Sequence, residues 1–294
     1  MSLIKLVIKK KPVSSKIGIP VLNAYISFDI NKYNLPLGRS RFNKVGSLGI
    51  KPKVDKITNY KIGNVPVREY SYNTNSSYLV YFHGGGYVLG SLDSHDIMCR
   101  RLAKYCKLNV VSVDYSLAPE AKFPKQLDEG RTVIGEVIKK RGPAIYLGGD
   151  SAGGNLAAVL SAEYENLLGQ ILFYPLTNGS LENPSIDKIG VLRNFLTGPM
   201  LRWFRDQYVP KGVAYDNPQL SPYRLKNRTP TFIAVGDRDP LIDDCRQYAD
   251  ALSKQGTACT LVILPHTIHG FMQQPRRFGY KLVLDQLNEF IASL

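Results

Sequence analysis

The residues best suited to do chemistry in this sequence stand at Gly149-Asp150-Ser151-Ala152-Gly153. A serine hydroxyl is a weak nucleophile until a neighbouring base takes its proton. Glycines on either side let a strand turn sharply into a helix, which presents the hydroxyl in the open at the positive end of the helix dipole. The local pattern supports that turn: Ala144–Leu147 reads as a strand and Ala152–Tyr164 as a helix rich in Ala and Leu. A second group, His83-Gly84-Gly85-Gly86, directly follows the apolar run Tyr78–Phe82. Acyl transfer passes through a tetrahedral oxyanion, and consecutive glycines let backbone amides approach it closely. Together with the amide of Ala152 they would form an oxyanion hole. A phosphate-binding loop would instead call for G-x-G-x-x-G or a Lys-Ser/Thr ending, and neither is present.

Serine chemistry of this kind needs a base and an acid that orients it, here in the chain order Ser, Asp, His. The sequence holds four histidines, His83, His95, His266 and His269, and only the last two follow Ser151. Both lie in the loop after a strand ending at Leu264, a place where α/β sites assemble. Asp237 and Asp239 follow the strand Thr231–Val235 in the same way. Spacing leaves both pairs open.

The elements that must carry these loops alternate. Strands are expected at Val65–Tyr72, Tyr78–Phe82, Asn109–Asp114, Gln170–Tyr174 and Ala258–Leu264, with helices at His95–Lys107, Pro124–Lys140, Asp243–Lys254 and Arg277–Ser293. Such alternation argues an α/β fold with a mostly parallel sheet covered on both faces. Residues 1–55 and about 176–225 break the rhythm, with prolines at 12, 20, 36 and 52 and again at 184, 199, 210, 218 and 222. Long irregular stretches in a compact domain are usually functional, and these two are expected to pack together as a cap over the sheet's carboxyl edge.

With 294 residues the chain can bury a full core without metals or disulfides. A net charge of +14 invites thoughts of nucleic acid, yet the longest basic run is Lys9 to Lys11 and no nucleic-acid-binding motif accompanies it. Cys99, Cys106, Cys245 and Cys259 lack metal-ligand spacing and read as reduced, mostly buried thiols, although spacing does not decide whether any two pair. The N-terminus has the reverse of a signal peptide's charge order, and no segment has the length of a membrane helix, so the expected location is the cytoplasm.

Taken together, the pieces resemble the hormone-sensitive-lipase-like branch of the α/β-hydrolases, a family of esterases and lipases. The matching text is His83-Gly-Gly-Gly-Tyr-Val-Leu-Gly-Ser91, His95-Asp96, Asp114-Tyr115, Leu117-Ala-Pro-Glu120, Gly149-Asp-Ser-Ala-Gly-Gly-Asn155, Asp239-Pro-Leu241 and His269-Gly-Phe271, spread from about residue 60 to the end. The resemblance implies one α/β-hydrolase domain over residues 1–294, with a helical cap from about 1–55 and 176–225. It implies Ser151 as nucleophile, Asp239 as acid and His269 as base. Gly84, Gly85, Gly86 and Ala152 correspond to the oxyanion hole, while His83 and Asp150 would be structural beside it.

The activity implied is that of a carboxylesterase on short- to medium-chain esters, with no metal or organic cofactor. A small-molecule ester would be its partner, without nucleic acid or stable membrane insertion, and the resemblance admits a homodimer. Two alternatives share the scaffold: an amide-directed deacetylase or peptidase with the same triad, and a non-catalytic ligand receptor. Ser116 stands where the family usually has Arg, which leaves the packing there open. Tyr87, Val88 and Leu92, just after the glycine loop, are candidates to line the substrate pocket.

Overall fold

Short runs of β-branched and aromatic residues that bury on both faces form the middle of the sheet, as expected for parallel strands covered by helices. The computed structural model describes residues 4–8, 34–73, 76–189, 196–273 and 279–294. Its strands are β1 (Ile4–Ile8), β2 (Lys56–Ile62), β3 (Val65–Ser71), β4 (Tyr78–Phe82), β5 (Asn109–Val113), β6 (Ile145–Asp150), β7 (Gly169–Phe173), β8 (Thr231–Gly236) and β9 (Cys259–Leu264). The order across the sheet is β1-β9-β8-β7-β6-β4-β5-β3-β2. Every pairing from β1 to β5 is parallel, and β3 and β2 are added antiparallel. All residues of β5, β6, β7 and β8 are buried.

Helices are α1 (Leu35–Gly46), α2 (Asp96–Cys106), α3 (Lys125–Arg141), α4 (Ala152–Ser161), α5 (Pro184–Lys188), α6 (Gly198–Tyr208), α7 (Ile242–Lys254) and α8 (Gly279–Ala292). Local chemistry starts several of them. Asn34 caps α1 by accepting the Leu37 amide at 3.1 Å, and Thr197 caps α6, which has a proline in its first turn. Every residue of α4 is buried, which its small and aliphatic composition allows.

From β4 the chain passes outward to β5, then returns across β4 to β6, so the strand order reverses between β4 and β6. Ligands of open α/β sheets bind outside the carboxyl ends of strands at such a reversal. The loops that leave these two strands carry His83–Gly86 and Ser151.

The N-terminal stretch differs from expectation. Ile4–Ile8 is not part of a cap but the edge strand of the sheet, running parallel to β9 with Ile4 opposite Cys259 and Ile8 opposite Ile263. The polar β2 was likewise absent from the expected strands; its Lys56, Asn59 and Lys61 suit the opposite edge. Residues 1–3, 9–33, 190–195, Arg277 and Phe278, for which cap and helix assignments were expected, lie outside the described residues. The second irregular stretch is tied down at its start by Asp244 in the first turn of α7. That carboxylate accepts the amides of Thr177 and Asn178 at 3.1 and 3.0 Å and the side chain of Asn183 at 2.7 Å. Burial pushes the Asp244 carboxyl up to about 7, against these hydrogen bonds, which pull it down.

Candidate active site

Ser151 sits in a backbone conformation that few side-chain-bearing residues adopt, with φ 54° and ψ −120°. Its amide is held by the Phe173 carbonyl at 2.9 Å, and its own carbonyl receives the Asn155 and Leu176 amides. The flanking glycines are dictated by close approach. A Cβ on Gly149 would lie 2.4 Å from the Gly153 backbone, and one on Gly153 would lie 2.1 Å from the Phe82 carbonyl oxygen. The start of α4 is thus pressed directly against the end of β4, bringing the glycine loop and the serine to one place.

His269 reaches this point from the loop after β9. Its Nε2 lies 3.0 Å from Ser151 Oγ, and its Nδ1 lies 2.8 Å from Asp239 Oδ2. Asp239 is completely buried, and its other oxygen accepts the Leu241 amide at 2.9 Å. An ionised Asp239 only accepts, so Nδ1 carries the proton and Nε2 is left to accept the serine hydroxyl. The rival pair is turned elsewhere: His266 is exposed and meets Arg238 at 2.8 Å, and Asp237 accepts the Thr267 amide at 3.3 Å. Sequence reasoning passed over Tyr174, whose buried ring lies 4.6 Å from the His269 ring and forms a wall of the pocket. Its only signal in the sequence was its place at the carboxyl end of β7.

The glycine loop divides. Gly85 and Gly86 have φ of 124° and 63° and face the pocket beside Ser151 and Ala152. A Cβ on Gly85 would lie 2.2 Å from the Leu89 carbonyl oxygen, and one on Gly86 2.4 Å from the Phe204 ring. Gly84 has to be removed from the expected oxyanion donors. Its N–H is taken up by Asp150 Oδ1 at 2.9 Å, and unlike Gly85 and Gly86 it does not line the pocket.

Asp150 is the hub of a buried polar cluster. It also accepts the Tyr81 hydroxyl at 2.7 Å, lies 3.3 Å from His95 Nε2, and takes the Gln273 amide at 3.3 Å. Burial raises its pKa, but His95, Tyr81 and the Gly84 amide outweigh that and hold the carboxyl below its usual range. Replacing Asp150 with Ala would strand these donors in a dry interior, and is expected to cost about 3–5 kcal/mol. Chemical denaturation of the variant measures this loss. His83 lies under the loop, its ring stacked 4.3 Å from Tyr115, whose hydroxyl donates to the His83 carbonyl at 2.6 Å. Burial and the neighbouring His95 lower the His83 pKa to about 3, so it is neutral near pH 7. Ser116, at the position of the family Arg, donates its amide and hydroxyl to the two oxygens of Glu129, each at 2.7 Å.

Above Ser151 lies a largely apolar cavity of about 60 Å³, walled by Phe42 of α1, Leu176, and Met200, Leu201 and Phe204 of α6. Tyr87 lines it as expected; Val88 and Leu92 are buried but do not line it. A nucleophile with a base, an acid, a pair of inward glycines and an apolar recess is the arrangement that acyl transfer needs.

The family model for the alpha/beta hydrolase fold matches residues 79–273. The chain is similar to an ethyl acetate hydrolase of Pseudomonas putida, 35% identical over 210 aligned positions, covering 66% of this chain and 66% of that protein. It is also similar to a gibberellin receptor of Arabidopsis thaliana, 30% identical over 237 positions, covering 74% of this chain and 66% of the receptor. The match thus spans just under two thirds of the length of each of these relatives. Among solved structures, a hyperthermophilic esterase of the archaeon Pyrobaculum calidifontis superposes with a TM-score of 0.86 at 29% identity, over 96% of this chain and 99% of the esterase. With the matched region carrying the glycine loop, the serine turn, Asp239 and His269, the chain belongs to the alpha/beta-hydrolase family, in its hormone-sensitive-lipase-like branch.

Proposed function

We propose that this protein is a serine carboxylesterase that hydrolyses short- to medium-chain carboxylic esters through an acyl-enzyme on Ser151. The observation that carries this reading is the relay Ser151–His269–Asp239, with contacts of 3.0 and 2.8 Å, opening into an apolar recess. His269 takes the hydroxyl proton as Ser151 Oγ attacks the ester carbonyl. The oxyanion is received by the amides of Gly85, Gly86 and Ala152, each such donor being worth about 10²–10³ in rate. The C–O bond breaks as His269 returns the proton to the departing alcohol. Water, deprotonated by His269, then attacks the acyl-enzyme and releases the acid, with Ser151 recovering its proton.

The named activities of the Pseudomonas relative and of the Pyrobaculum structure support ester hydrolysis. In this reading α1 and the described part of 176–225 act as the cap of a single domain, with α6 and α1 forming the pocket's roof. The enzyme would work in the cytoplasm as a monomer or homodimer, without nucleic acid; among the described residues no helix is long and apolar enough to cross a membrane. The test compares p-nitrophenyl butyrate with the matched butyryl p-nitroanilide. Ester kcat/KM is expected to exceed that for the anilide by at least about 10³-fold, since the same attack must expel a far poorer leaving group. An anilide rate equal to the ester rate would overturn the assignment in favour of an amide-directed enzyme.

The similarity to a gibberellin receptor favours a second reading, a ligand receptor on this scaffold. Covalent labelling of Ser151 by a fluorophosphonate separates the two, because only an activated serine reacts.

A further inference from the structure

Arg39 joins helix α1 to the core of the site. Arg39 Nε donates to the Val88 carbonyl at 2.9 Å, and an Nη donates to the Ala118 carbonyl at 2.9 Å. The same guanidinium meets both oxygens of Glu120, at 2.8 and 2.7 Å. These acceptors are themselves linked. The amides of Val88 and Leu89 both donate to the Gly85 carbonyl, and the Ala118 amide donates to the Tyr87 carbonyl. Arg39 therefore ties three pieces together: α1, the turn that contains Gly85 and Gly86, and the 116–120 loop. One turn further along α1, Asn43 accepts the Ser91 hydroxyl at 2.9 Å. Between these two ties lies Phe42, 8% exposed and part of the pocket wall.

An arginine–carboxylate pair at a protein surface holds little by itself, and Glu120 is 61% exposed. The planar guanidinium, however, places Nε and both Nη groups on fixed vectors, so one side chain can serve two carbonyls and a carboxylate at once. A lysine has one nitrogen and cannot do so. The contact with Arg39 also holds the Glu120 carboxyl below its usual range, so the pair stays ionised at neutral pH.

We propose that Arg39 is a specificity-determining positioning residue: it latches α1 against the glycine turn and so fixes Phe42 as the wall that limits acyl length. The proposal rests on the carboxylesterase reading for its substrate but not for its latch. The experiment compares R39A, F42A, the double variant and R39K, using p-nitrophenyl butyrate and octanoate, together with hydrogen exchange of the full chain. In R39A the butyrate-to-octanoate ratio of kcat/KM is expected to fall about tenfold, as a mobile wall admits the longer chain. F42A should produce a similar fall, and the double variant no more than either, because both changes remove the same wall. R39K should behave like R39A, and serves in its place if R39A does not fold. Amides of α1 should exchange at least about tenfold faster in the variant while β6 and β7 keep their protection.

An unchanged ratio, a lowered Tm with the ratio unaltered, or effects of R39A and F42A that multiply would each overturn the proposal. If the wild-type protein hydrolyses neither ester, the carboxylesterase reading fails. The exchange of α1 then decides the latch alone: faster exchange in R39A upholds it, and unchanged exchange overturns it.

Discussion

Replacing Ser151 with Ala is expected to reduce hydrolysis of p-nitrophenyl butyrate by at least about 10⁴-fold, because removal of the nucleophile disables a unit whose members act together. The size follows from the geometry. Among the described residues, His269 Nε2 has one partner placed to give it a proton, the Ser151 hydroxyl at 3.0 Å, and Asp239 orients the imidazole for that exchange. With Oγ gone, the imidazole would have to activate water in an apolar recess, and under the proposed mechanism the oxyanion donors alone would give only a small residue of the rate. Folding should be nearly untouched, within about 1 kcal/mol, since Ala bears the same φ of 54° no worse than Ser. Loss of turnover at unchanged Tm, with loss of fluorophosphonate labelling, is the expected result. Activity retained by the S151A protein would sink the mechanism.

The second large effect is predicted at a residue that takes no part in the chemistry. Gly153→Ala would place a Cβ 2.1 Å from the Phe82 carbonyl oxygen and 2.4 Å from that of His83. Both obstacles are backbone, so neither can swing aside as a side-chain tip would. The first turn of α4 must therefore back away from the end of β4. That separates Ser151 and the Ala152 amide, which ride on α4, from Gly85 and Gly86, which ride on the loop after β4. A displacement near 1 Å in such a site costs about 10²-fold in rate. The forced overpacking should also cost roughly 3 kcal/mol of stability. Gly135→Ala in α3 is the matched control: a Cβ there meets nothing within 4 Å. That change should stabilise the protein by about 0.5–1 kcal/mol, since Ala is the better helix former. Equal Tm and equal kcat/KM for G153A and wild type would show that the β4–α4 contact does not set the site.

Much of this site is legible in the sequence. Runs such as Leu-Val-Tyr-Phe (79–82) and Phe-Ile-Ala-Val (232–235) have no polar face to offer water, so they had to become inner strands of a covered sheet. Ser151 between two close glycines after such a run had to be a strand-to-helix turn, and the chain order of Ser, Asp and His followed from the loops that carry them. The edge strands were hidden for the same physical reason. β2 is mostly exposed or half-buried, and Leu6 of β1 is exposed, so the place of these strands in the sheet depends on the neighbour that pairs with them and leaves little trace in their own pattern.

What the sequence by itself determined, then, was that a serine turn and a glycine loop stand at the carboxyl ends of strands in one parallel sheet. It left two aspartates and two histidines in competition, and only a family resemblance favoured Asp239 and His269. Tertiary structure resolves that competition by direction: residues two or three apart in a loop face different ways, so His269 turns inward to Ser151 while His266 turns outward to Arg238. The same holds for the glycines. Gly84, Gly85 and Gly86 are identical in sequence, but an amide points where its φ and ψ send it, and the buried carboxylate of Asp150 claims that of Gly84. That the turn around Ser151 is strained and pressed against Phe82 is likewise a property of packing between β4 and α4, which no single segment of the chain contains.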